Sequence, residues 1–195
     1  MPMATYRDTL HDIDWSRPRP MVNKLKRVPG LFLCGFMGSG KSTIGPALAH
    51  ELGWDFIDLD SEIEAEHQTT IAEIFRTRGE PEFRRIETEA IRSLIAKIAR
   101  GAPAVVALGG GAFVQQAIYE MLEVNGVTVW LDCPFETIER RLDDKSSRPL
   151  AGDPEAFRRR FEERRAAYSR AEYRIDSDCE VEHAVQMILE LPCWK

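Results

Sequence analysis

The chain has 195 residues, 44 % hydrophobic and 30 % charged, with a formal net charge of −6. That length suits one domain with a full core, and the acidic balance argues against a broad nucleic-acid-binding surface. No stretch is long and apolar enough to span a membrane and the first residues lack a signal-peptide core, so a cytoplasmic location is expected.

Residues 1–28 mix Asp, Arg, three prolines and a single Trp without a sustained period, which reads as a flexible extension. Leu10, Ile13 and Trp15 are its candidates for docking on the body or on a partner. From residue 29 to 195 strand-like and helix-like runs alternate. Leu31–Gly35 is a short apolar run that predicts a buried strand, followed by Gly35-Phe36-Met37-Gly38-Ser39-Gly40-Lys41-Ser42. After it Ile44, Ala47, Leu48 and Leu52 share a helical face, with Gly53 as the stop. Strand, glycine loop and helix form the context that a phosphate-binding loop requires. Glycines let successive backbone N–H groups curl round a polyphosphate, and the helix N-terminus adds partial positive charge. Lys41 can then reach the outer phosphates while the Ser42 hydroxyl is placed to ligate Mg²⁺, which predicts a nucleoside triphosphate as ligand.

A second strand, Asp55–Leu59, carries Asp58 and Asp60. Strand alternation would send both carboxylates to one side of its carboxyl end, where open α/β sheets keep their ligands. One could hold Mg²⁺ through water and the other accept or orient a substrate hydroxyl; helix capping is the competing reading. Phe83, Ile86, Ala90, Ile91, Leu94, Ile95 and Ile98 then line a long helix, with Pro81 near its start and Gly101 past its end. An arginine at a helix start is poorly placed for the helix dipole, so Arg84 or Arg85 is expected to meet an anion. The strand Ala104–Leu108 ends in Gly109-Gly110-Gly111, which lets a ligand approach backbone atoms unobstructed; a plain tight turn is the alternative.

Helical patterns cover Phe113–Val124, Pro134–Leu142, Pro154–Tyr168 and Val181–Leu189, and strands Val127–Asp132 and Tyr173–Ile175. Continuous apolar strands between helices predict a parallel sheet sandwiched by two helix layers, an α/β fold. The polar segment 143–153 reads as a mobile lid, and some arginines of the Arg140–Arg164 region would close over a γ-phosphate. Arg159, Arg160 and Arg165 read as solvated helix surface. Cys34, Cys133, Cys179 and Cys193 show no metal or redox spacing, and the first two read as small buried hydrophobes in a reducing compartment.

In order, these motifs resemble the shikimate kinases. The resemblance rests on Gly35 to Thr43, Asp58-Leu59-Asp60, Gly79-Glu80-Pro81-Glu82-Phe83-Arg84-Arg85-Ile86-Glu87, Gly109-Gly110-Gly111, Arg148-Pro149-Leu150, and Glu163-Arg164-Arg165-Ala166-Ala167-Tyr168. It spans about Leu31 to Leu189 and implies the nucleoside monophosphate kinase fold, three layers around a five-stranded parallel sheet of order 2-3-1-4-5. The activity implied is transfer of the ATP γ-phosphate to the 3-hydroxyl of shikimate, a step towards chorismate and the aromatic amino acids.

By the same resemblance the ATP site would be Gly38, Ser39, Gly40, Lys41, Ser42 and Thr43, with Arg141 and Asp176 near the adenine and Arg148 as the lid arginine. Ser42 and Asp58 would hold Mg²⁺, and Lys41, Asp60 and Arg148 would carry the chemistry. Asp60 would bind the shikimate hydroxyls, Arg84 and Arg164 its carboxylate, and Gly109, Gly110 and Gly111 would offer backbone donors. Phe75 and Phe83 would wall the pocket, and Glu87 would steady an arginine. Shikimate and ATP are then the partners of a monomer, with residues 1–28 as the segment through which a dimer could form. Two departures stand out: Ala151 where a second Leu usually follows Arg-Pro-Leu, and Pro46 where a basic residue is usual. A sugar-acid kinase on the same fold, or a nucleotide-binding regulatory module without catalysis, are the alternatives; the full set of charged residues favours neither.

Overall fold

The computed structural model describes residues 30–143 and 153–194. Five strands, β1 (Gly30–Cys34), β2 (Asp55–Asp58), β3 (Ala104–Ala107), β4 (Val127–Asp132) and β5 (Tyr173–Asp176), form one sheet in the order β2-β3-β1-β4-β5. Every pairing is parallel. The helices are α1 (Lys41–Leu52), α2 (Leu59–His67), α3 (Ile71–Ala99), α4 (Gln116–Asn125), α5 (Phe135–Asp143), α6 (Pro154–Tyr168) and α7 (Val181–Leu189). The expected extension 1–28, most of the expected lid, Arg148 and Ala151 lie outside the described residues. Among those described, no helix is long and apolar enough to cross a membrane.

Strand alternation divides the core in two. Phe32, Cys34, Val106 and Trp130 face one cluster with Leu59, Ile63, Ile91, Leu122 and Phe161. Leu31, Leu33, Val105, Val129 and Leu131 face the other, with Leu48 of α1 and Val185 and Ile188 of α7. Both faces of the sheet are covered, so its strands read as unbroken apolar runs.

The elements at the sheet's carboxyl edge differ from the sequence-based expectation. β2 stops at Asp58, which is the N-cap of α2: its Oδ1 accepts from the Ser61 N–H at 3.3 Å. Asp60 therefore reaches the site from a first helical turn rather than by strand alternation, and α2 itself went unpredicted because only Leu59 and Ile63 of it are buried. The long helix begins at Ile71, capped by the Thr70 hydroxyl on Glu73 N–H at 3.2 Å. It breaks at Gly79 (φ 78°, ψ 168°), so Pro81 and Arg84 still open a separate helical segment as expected. α4 starts three residues later than expected, after a turn over the glycines. Pro46 stands in the second turn of α1 rather than at its start, which removes the N–H that the Ser42 carbonyl would otherwise receive.

Candidate active site

Register brings the site elements side by side. Asp58 pairs with Ala107 and Ala107 with Leu33, so the end of β2, the glycine turn after β3 and the loop after β1 adjoin at one edge of the sheet. In that loop Gly38 and Gly40 have φ of 79° and 100°, left-handed values that glycine adopts without strain. Gly40 is the N-cap of α1, and its carbonyl accepts from Thr43 N–H at 2.9 Å. Lys41 Nζ donates to the carbonyls of Gly35 and Phe36 at 2.8 and 3.0 Å, arching back over the loop. The Ser39 side chain is buried, and its backbone N–H donates to the Phe36 carbonyl at 3.2 Å, closing the turn of the loop. Ser42 Oγ donates to Asp58 Oδ2 at 2.9 Å, bringing two hard oxygen groups together beside the loop.

The three glycines after β3 sit against three charged side chains. A Cβ on Gly109 would lie 2.6 Å from Asp60 Oδ1 and 3.0 Å from Glu87 Oε1. On Gly110 it would be 3.3 Å from Arg164 Nη1, and on Gly111 2.7 Å from Arg84 Nη2. Absent side chains here thus make room for Asp60, Arg164 and Arg84, a use of the glycines that the tight-turn and ligand-approach readings both missed. Tyr168 Oη donates to the Gly110 carbonyl at 2.5 Å; burial pushes its pKa well up, so it remains a donor.

Arg84 is the most constrained of these cations. Its Nη1 donates to Glu87 Oε2 at 2.8 Å, and Nε and Nη2 reach Glu80 Oε1 at 3.2 and 3.0 Å. Its guanidinium lies 5.2 and 6.0 Å from the ring centres of Phe83 and Phe75, themselves 4.5 Å apart. Burial is the largest influence on its basicity and lowers it, but Glu87 and Glu80 outweigh that and leave its pKa raised. Glu87 is only 1 % exposed. Burial pushes its pKa up, the Asp60 charge adds to the rise, and hydrogen bonds from Arg84 and Gln115 oppose it. Arg85, the other candidate, is exposed and pairs with Glu82 and Glu89 on its own helix.

Arg164 comes from α6, whose N-terminus is capped by Asp153 on Glu155 and Ala156 N–H at 3.0 and 3.1 Å. Phe157 and Phe161 dock that helix on Phe36 of the phosphate loop, ring centres 5.2 and 5.4 Å away, and Arg164 lies 5.6 Å from the same ring. Its neighbour Arg165 is not solvated as expected: it meets Asp132 at 3.2 Å and stacks over Trp130 and Phe161. The buried Asp132 carboxylate and the Trp130 ring, neither of them on α6, draw it in, with Phe161 one helical turn before it. Arg141 donates to the Gly38 carbonyl at 3.1 Å and the Ser177 carbonyl at 3.3 Å. It thereby joins the phosphate loop to the turn after Asp176, whose carboxylate accepts from Asp178 N–H at 2.9 Å. All four cysteines are free; Cys34 and Cys133 are buried, with the Cys34 thiol pushed up to about 12 by burial.

Three residues shape the site without having been given a role in the sequence reading: Tyr168, Asp132 and Gln115. Tyr168 had a signal, its spacing from Arg164. Gln115 had only its place at the start of a helix just after the glycines.

Known proteins resemble this chain in sequence and in fold. The family model described as Shikimate kinase matches residues 37–191. The shikimate kinase of Bartonella quintana is 38 % identical over 158 residues, covering 80 % of this chain and 73 % of that protein. The crystal structure of shikimate kinase from Aquifex aeolicus aligns with a TM-score of 0.73 at 34 % identity, over 82 % of this chain and 94 % of that one. Shikimate kinase from Acinetobacter baumannii, solved in complex with shikimate, gives a TM-score of 0.76 at 34 % identity, over 84 % and 92 %.

Proposed function

The chain belongs to the shikimate kinase family, and from that premise we propose how its residues divide the work of moving the ATP γ-phosphate to the 3-hydroxyl of shikimate. The observation that carries the assignment is the meeting of Asp60, Arg84 and Arg164 over three successive glycines beside a phosphate loop. Two cations and one carboxylate around a glycine turn match a substrate with one carboxylate and adjacent hydroxyls.

The loop at Gly38, Ser39 and Gly40, with Lys41, Ser42 and Thr43, holds the ATP phosphates. Arg141 and Asp176 lie towards the adenine, and Arg148 from the lid reaches ATP. Ser42 and Asp58 fit Mg²⁺, a hard cation that keeps several waters and takes one or two protein oxygens plus substrate phosphates. Among the described residues no cluster of three or more His, Cys, Asp or Glu competes for it. When bound, the ion neutralises charge building on the transferring phosphoryl group.

Asp60 accepts a hydrogen bond from the shikimate hydroxyl and takes its proton as the oxygen–phosphorus bond forms and the bridging bond to ADP breaks. Arg164 and Arg84 grip the carboxylate, and the glycine backbone offers donors to the ring hydroxyls, with Phe75 and Phe83 as a wall. Arg84 needs a free edge for this. Its contact with Glu80, whose side chain is 64 % exposed, is a surface pair worth about 0–1 kcal/mol, so the substrate carboxylate displaces Glu80 while Glu87 stays. The enzyme works as a monomer in the cytoplasm, where its buried thiols stay reduced.

A coupled ADP-release assay with Mg-ATP tests the acceptor against a panel including gluconate and nucleoside monophosphates. Release with shikimate alone is expected; release with gluconate instead overturns the assignment. Arg84→Lys keeps the charge and loses the planar fork, so the shikimate KM should rise about 10–100-fold with the ATP KM nearly unchanged. Equal rises in both would make Arg84 structural. Deleting residues 1–28 should leave kcat and both KM values within about twofold, since β1 and the family match begin after them; a large loss gives that segment a part in the working enzyme.

A further inference from the structure

We propose that Gln115 is a positioning residue for the substrate carboxylate clamp: its side-chain amide anchors Glu87, and Glu87 in turn aims Arg84 across the glycine turn. The inference rests on the reading of Arg84 as that clamp.

Three observations converge on it. Gln115 occupies the N-cap of α4, a place that favours Ser, Thr, Asp or Asn because their short side chains bond the first free N–H groups. Gln115 makes no such bond. Its Nε2 instead donates to Glu87 Oε2 at 2.6 Å, across 28 residues of sequence. A helix start without its preferred cap, with the side chain turned towards the site, is a local rule broken where function gains.

The acceptor is the same oxygen that receives Arg84 Nη1 at 2.8 Å. Glu87 Oε2 is therefore held from two directions, by a donor on its own helix and by one from the start of α4, while its Oε1 faces the Gly109 turn. A buried carboxylate with a single partner could rotate about its last torsion and swing Arg84 with it. The second donor removes that freedom. It also bears on protonation: the groups facing Glu87 are Arg84 from its own helix, Asp60 from α2 and Gln115 from α4, and the first and last stabilise its charge against burial and Asp60.

Removing the Gln115 amide thus has two consequences. Arg84 loses its fixed aim, and Glu87 takes up its proton at a higher pH than before. A protonated Glu87 no longer attracts Arg84, so shikimate binding should fail on the acid side sooner.

Full-length Gln115→Leu and Gln115→Glu, each checked for folding by thermal unfolding, test this beside Arg84→Lys. Gln115→Leu should raise the shikimate KM about tenfold with the ATP KM unchanged, and shift the acid limb of kcat/KM for shikimate to higher pH. Gln115→Glu places two carboxylates together, which at lower pH share one proton and restore an O–H···O bond. Its shikimate KM should therefore fall as pH falls, the opposite trend to Leu. Equal rises in both KM values, or pH profiles that do not move, overturn the proposal. Should Gln115→Leu not fold, the pH trend of Gln115→Glu decides alone. Normal shikimate KM in Arg84→Lys would remove the clamp and the proposal together; a raised KM there with normal Gln115 variants removes only the role of Gln115.

Discussion

Asp60→Asn is expected to lower kcat by about 10²–10⁴-fold, the usual contribution of a positioned acid–base group, while ATP binding measured directly stays near normal. Asparagine keeps the size of the side chain and its reach from the first turn of α2, so the fold edge should survive. What is lost, on the proposed mechanism, is the charge that draws the proton from the attacking hydroxyl. The same substitution removes the neighbouring negative charge that helps raise the Glu87 pKa, so Glu87 should hold Arg84 as well as before or better. Shikimate affinity then changes less than turnover. A variant retaining kcat within about tenfold of the parent would sink the acid–base role, and a loss confined to the shikimate KM would reduce Asp60 to a binding group.

Gly109→Ala should be nearly as damaging although it adds one methyl group outside the reacting atoms. The new Cβ would lie 2.6 Å from Asp60 Oδ1 and 3.0 Å from Glu87 Oε1, where 3.4 Å or more is ordinary contact. Gly109 does not have a left-handed φ, so alanine fits the backbone and the effect comes from crowding. Glu87 is buried and tied to Arg84 and Gln115, which leaves Asp60 to retreat. A shift on the order of 1 Å in a reacting group costs about 10²-fold in rate. Steady-state kcat with a melting temperature close to the parent is the expected pair of results. Normal turnover would mean that the turn relaxes and that the Asp60 position is not critical; a collapsed melting temperature would make Gly109 a folding requirement first.

Arg84 and Arg85 illustrate where reading from residue spacing reached its limit, since only the family resemblance singled out Arg84. Both open the same helical segment after Gly79, and nothing in their spacing separates an exposed pair from an active-site cation. One helical step of about 100° turns Arg85 to Glu82 and Glu89 on the surface and Arg84 towards the glycines. Asp58 and Asp60 erred in the other direction. They reached the expected edge of the sheet, but through a capped helix start, because an Asp N-cap ends a strand as readily as alternation continues it. The expected roles of Arg159 and Arg160 as outer helix surface agree with their partial or full exposure, whereas Arg165 is drawn onto Asp132 and Trp130, both on β4.

By itself the sequence determined the features whose physics is local: the glycine loop with Lys41 and Ser42, the apolar strands, the helix stop at Gly53, and the alternation that makes a parallel sheet between helices. Those depend on backbone conformation and burial within a few residues of each position, so composition and spacing suffice to read them. The order of motifs along the chain extended that to the family. Only the tertiary structure decided which charges meet. Gly109, Gly110 and Gly111 receive Asp60, Arg164 and Arg84 from three different helices, Gln115 finds Glu87 across 28 residues, and Arg141 reaches Gly38 across 103. Such contacts follow from the crossover order β2-β3-β1-β4-β5, which brings strands distant in sequence side by side; spacing along the chain carries no trace of it.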